Sequence, residues 1–147
     1  MEKIIETILE RNIVVYTEDP LSLVFDMINS LSKLGEYDEK KNVYETDGPV
    51  KRINVIFSIV DRLDKNSKID IRFDMTGQMG MSSFLEMKVE GNLVIKFDAP
   101  AGAVSETYMA YYLSNVAREF KNIAKDKMKD AEEAIADNIR EFKHVYL

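Results

Sequence analysis

The chain has no cysteine, no tryptophan and a single histidine, His144. Without cysteine there is neither a disulfide framework nor a thiolate nucleophile, a usage that fits a reducing compartment and makes a cytoplasmic location the expectation. One histidine, beside Lys143 near the chain end, cannot build a His-based metal cluster and is poorly placed as a general base. No G-x-S-x-G, phosphate-binding glycine loop or H-E-x-x-H occurs, so the commonest catalytic mechanisms are missing and no cofactor or metal is expected. No apolar run approaches the roughly 18 residues of a membrane span, and Glu2, Lys3 and Glu6 interrupt the N-terminus where a signal peptide would be apolar. Basic residues are outnumbered 20 to 26 by acidic ones, for a net charge of -6, which argues against a nucleic-acid partner because phosphate binding needs a basic surface. The local cluster Lys121, Lys125, Lys127 and Lys129 is interleaved with Asp126, Asp130, Glu132 and Glu133, the pattern of a solvated helix face.

Glycine and proline are also scarce, 6 and 3 in all, and none follows Gly102. From about Ala103 to Tyr146 the apolar positions Tyr108, Met109, Tyr112, Val116, Phe120, Ile123, Met128, Ala131, Ile135, Ile139 and Phe142 step by three, four or multiples of these. That spacing predicts one long helix with a buried stripe, about 60 Å at 1.5 Å per residue. Such a helix must cross a sheet and then bend, fray or overhang.

What remains is a chain of 147 residues, 46% hydrophobic, long enough for one domain with a real core. Ile4-Ile5 with Ile8-Leu9 fits either a strand or a helical turn, and strand is the reading adopted; Ile13 to Tyr16 is β-branched and aromatic, a strand. Asp19-Pro20 starts a helix, with Asp19 as N-cap and Pro20 where its missing N–H costs nothing. Leu21, Val24, Phe25, Ile28 and Leu31 are its expected inward stripe and Gly35 its stop. Residues 36–42 read as a surface connection, 42–46 as a short strand closed by Asp47-Gly48-Pro49. Strict alternation then marks strands over 50–61 and 68–76, the second with Ile69, Ile71, Phe73 and Met75 inward and Asp70, Arg72 and Asp74 outward. Gly77 to Gly80 reads as a turn, 81–90 as a strand, Glu90-Gly91-Asn92 as a turn, and 93–99 as a last strand. The short connections from residue 42 onward predict an antiparallel meander of about six strands in all, with the C-terminal helix as the only cover long enough for its apolar face.

This order of elements, α+β with a helix after the first strand and a long helix last, resembles the helix-grip fold of the START domains, the birch-pollen allergen family, the polyketide cyclases and the coenzyme Q carriers. The local match is the strand ending Ile13 to Thr17, then Asp19-Pro20, then the apolar helix Leu21 to Ile28. It departs in having six strands where seven are common and a longer terminal helix. The resemblance implies a hydrophobic small molecule, such as a lipid, quinone or polyketide-like compound, held between curved sheet and helix, although fold alone does not fix function.

If that groove is hollow, the sheet contributes Phe57, Phe73, Met75, Leu85, Met87 and Phe97, with Ser83 as a polar anchor in an apolar row, and the helix contributes Tyr108, Met109, Tyr112, Val116 and Phe120. Methionine adapts to loosely defined apolar ligands, and a buried tyrosine hydroxyl needs a partner that a ligand head group could supply. Gln78 and Met79 are candidates for a portal. Taken singly, each of these side chains is more often an ordinary core residue, so the pocket expectation rests on the architecture. The alternative reading is an assembly protein whose helix overhang (Ile135, Ile139, Phe142, Val145, Tyr146) docks on a second copy; a cyclase-like enzyme using Tyr112 is a third.

Overall fold

A computed structural model describes residues 2–80, 82–97 and 117–145. Five strands, β1 (Glu2–Tyr16), β2 (Glu36–Asp47), β3 (Val50–Arg62), β4 (Ser67–Met79) and β5 (Phe84–Phe97), are joined by helix α1 (Pro20–Leu31) after β1 and followed by helix α2 (Ala117–Val145). The sheet is antiparallel throughout, in the order β1-β5-β4-β3-β2. The meander is as the alternation predicts, and β1 closes it by pairing with the last strand.

Among the described residues the strands number five, not six, because 84–97 runs straight through Gly91. The expected turn there is a close approach. A Cβ on Gly91 would come within 2.7 Å of Met128 Cε and 3.2 Å of Leu9 Cβ. Likewise Gly77 to Met79 continue β4 instead of turning. Residues 36–42, read as a connection, belong to β2. Their pattern is hidden by a bulge between Glu39 and Lys41, which switches the inward parity from Tyr37, opposite Ile59, to Tyr44, opposite Ile53. A second bulge between Thr7 and Leu9 does the same in β1, so Glu6 opposite Leu93 and Leu9 opposite Gly91 both face inward. That is why β1 mimics helical spacing. The β2–β3 hairpin keeps a two-residue turn, with Gly48 at φ 60°, a value Gly adopts without strain.

Asp19 caps α1 as expected: its Oδ1 accepts from Ser22 N at 3.1 Å and its Oδ2 from the Ser22 hydroxyl at 2.6 Å. The buried stripe is Pro20, Leu23, Val24, Met27 and Leu31, rotated from the expected one, so that Phe25 is 47% exposed. Ser32, not Gly35, is the C-cap; a Cβ on Gly35 would lie 2.8 Å from Val60 O, which explains the glycine by the chain's passage against β3.

Helix α2 lies along β1. Lys121 Nζ meets Glu6 Oε1 at 2.6 Å and Arg11 Nε meets Glu132 Oε2 at 3.6 Å. Five residues of strand and eleven of helix both span about 16 Å, so the two run side by side in the same direction. Ala124, Met128, Ala131 and Ile135 are buried in the core with Leu23, Val24, Met27 and Leu31 of α1, whereas Ile123, expected in the stripe, is 40% exposed. Lys127 ties the lower ends together, donating to Leu34 O at 2.9 Å and lying 3.3 Å from Asp61 Oδ2. The expected overhang is thus corrected at its start: Ile135, like Ala131 one turn before it, is spent on the core, and Ile139 is half-buried. Residues 98–116, the expected first half of the long helix, lie outside the described residues.

Candidate apolar binding site

The inner face of the sheet is built from cross-strand rows. One reads Val55, Met75, Met87, Ile13, and the next Phe57, Phe73, Val89, Arg11. Phe57, Phe73, Met75, Leu85 and Met87, five of the expected lining residues, are completely buried and share one cluster. Phe57 stacks on Phe73 at 4.9 Å between ring centroids, and Tyr37 of β2 meets Phe57 in a tilted contact at 5.3 Å. Phe120 is half-buried against the same cluster. Ser83 is not in the apolar row. It precedes β5 in the turn, where its hydroxyl accepts from Gly80 N at 3.4 Å. Phe97 ends β5 opposite Glu2, with its side chain outside the description, and Tyr108, Met109, Tyr112 and Val116 lie outside the described residues.

One end of this inner face is open. Between the first turns of α1 and the tip of the β2–β3 hairpin lies a groove of about 160 Å³ lined by Leu21, Phe25, Tyr44, Thr46, Ile53 and Met79, with Glu45, Lys51 and Arg52 at its rim. Phe25 and Tyr44, 47% and 44% exposed, face each other across it at 6.2 Å. Ile53 belongs to the inner row Ile53, Gly77, Leu85, Val15, so the groove's floor is the sheet's own core face. Met79, a residue expected at a portal, is in its wall; Gln78, its neighbour, is on the opposite side of the sheet.

Phe25 and Tyr44 were not legible as site residues, since Phe25 has the spacing of the helix's inward stripe and Tyr44 sits in a mostly charged stretch beyond a bulge. At the other end of β2, Glu39 Oε1 accepts from the Tyr37 hydroxyl at 3.2 Å and from Asn42 Nδ2 at 2.8 Å. Burial first and the Glu39 carboxylate second push the Tyr37 hydroxyl up to about 12, and the same two causes raise Tyr44.

Two larger hollows lie on the outer face. One, about 510 Å³, is lined mainly by Glu10, Arg72, Asp74, Lys88 and Glu90; the other, about 360 Å³, includes Val43, Asn54, Gln78 and Phe84. In the first, Arg72 sits opposite Glu90 and Asp74 opposite Lys88, so opposite charges answer each other across the strands that form it. Among the described residues no cluster of three or more His, Cys, Asp or Glu could hold a metal ion, and no helix is long and apolar enough to cross a membrane.

No family model matches the chain, and no curated protein does. Among solved structures it is similar to one titled "Crystal structure of Ara h 8.0201", with 15% identity over 90% of this chain and 99% of that one and a TM-score of 0.28, a likeness that carries no weight for function. What the chain has is the helix-grip arrangement itself: an antiparallel sheet, a short helix after its first strand, and a C-terminal helix lying in its inner face.

Proposed function

We propose that the protein binds a hydrophobic small molecule between the sheet and its helices, admitted through the groove between α1 and the β2–β3 hairpin. The observation that supports this reading is the exposed Phe25–Tyr44 pair above a floor, Ile53, that belongs to the buried inner face. Two aromatic rings left half in water beside an apolar hollow are surface a ligand can remove from solvent, at about 25 cal/mol for each Å² covered. The groove as it stands, about 160 Å³, is smaller than the roughly 300 Å³ at which ligand sites begin. It admits one end of a molecule; the rest displaces Met79 and, further in, the Met75–Met87 pair, whose unbranched side chains re-pack at low cost.

The test is titration with neutral phenyl-naphthylamine, whose fluorescence rises in apolar surroundings. Saturable binding should weaken at least about fivefold in Phe25→Glu and in Tyr44→Glu, both exposed enough to leave folding intact. A fluorescence rise that is absent, or that survives both changes undiminished, would overturn the reading.

A further inference from the structure

The charges on the inner face are nearly all answered. Glu6 is met by Lys121, Arg11 by Glu132 and Asp61 by Lys127, each from α2, and Glu39 accepts two hydrogen bonds from its own strand. Lys51 is different. It sits in the row Thr46, Lys51, Met79, one step outward from Ile53 on the same face, and its ammonium has no hydrogen-bond or ion-pair partner among the described residues. It stands at the rim of the apolar groove beside Leu21 and Phe25. The other two rim charges, Glu45 and Arg52, pair with each other in the β2–β3 register one residue out of phase with Lys51, so they belong to the outer face, where both also line the second hollow, and Lys51 is the rim charge on the inner side.

Resting on the binding function proposed above, we infer that Lys51 selects the ligand's head group, and that the ligand is an amphiphile with an anionic carboxylate head and an apolar tail. The tail enters over Ile53 and Met79 while the carboxylate stays at the rim, where a lysine can reach it and water still solvates both. An ammonium and a carboxylate in that position form a charge-assisted hydrogen bond without the cost of burying either ion. A neutral alcohol of the same length gains the tail burial alone, and an alkyl amine meets a like charge.

The experiment compares decanoate, decanol and decylamine on the full chain by calorimetric titration, for wild type, Lys51→Gln and Lys65→Gln, the last in the turn at the opposite end of the sheet. Wild type and Lys65→Gln should bind decanoate about fivefold tighter than decanol, the size of effect a partly solvated ion pair gives. In Lys51→Gln the two should bind alike, with decanol unaffected. Raising the salt should narrow the wild-type preference, because the pair is screened. If decanol and decanoate bind wild type equally, or if Lys51→Gln keeps the preference, the head-group assignment falls and the binding function stands. If none of the three binds wild type, the binding function falls and this inference with it.

Discussion

Met128 of α2 rests on Gly91 of β5, in the gap that the missing side chain leaves in the row Ile59, Ile71, Gly91, Leu9. The glycine is what lets the helix sink onto the sheet. Gly91→Val should therefore destabilise the fold by about 2 kcal/mol, the range for overpacking a core. Because the atoms met are the flexible end of a methionine, Met128→Ala should recover part of the loss, a coupling that a double-mutant cycle in urea would read. An unchanged midpoint in Gly91→Val would mean that the helix does not sit there.

Lys127 holds three elements with one ammonium, reaching Leu34 O and Asp61 with its side chain only 24% exposed. Lys127→Met keeps the aliphatic stem but leaves the carbonyl and the carboxylate unanswered, and should cost about 1–2 kcal/mol. Arg140→Ala, which breaks the Arg140–Asp137 pair one helical turn apart, should cost less than about 0.5 kcal/mol, because those side chains are 71% and 67% exposed. Urea midpoints for the two variants would check the order; equal losses would contradict it.

Asp19→Ala removes the acceptor for both Ser22 N and the Ser22 hydroxyl at the start of α1. The expected loss is about 1 kcal/mol, with Asp19→Asn retaining most of the stability. Thermal unfolding of the pair is sufficient, and an Ala variant as stable as the wild type would remove the cap from the account of α1.

Tyr37 holds its proton more tightly folded than unfolded, about 12 against an ordinary 10. The unfolded chain therefore loses that proton first as pH rises, and the stability this group contributes is complete below about pH 10 and drains away toward about pH 12. Tyr37→Phe should lessen the decline in urea midpoint across that window relative to wild type, with lysine titration common to both. Parallel curves would show that Tyr37 ionises no later folded than unfolded.

The local chemistry of the chain determined much of the fold. Asp19-Pro20 starts a helix wherever it is followed by apolar residues at helical spacing, and the alternation from Ile53 to Met75 admits only strands with one buried face. Phe57, Phe73 and Met75 are legible as inward residues for that reason, and Leu85 and Met87 by the spacing of the strand read over 81–90. Tertiary structure decided the rest. Gly91 looks like a turn until Met128 arrives to fill it, and Ile135 looks like an overhang until α1 is placed beside it. The bulges in β1 and β2 reverse the inward parity, and no local pattern carries a parity that changes midway. Tyr44 and Lys51 come to matter only because the hairpin tip stands opposite Leu21 and Phe25. A groove between two elements belongs to their packing, which residue spacing along either one does not encode.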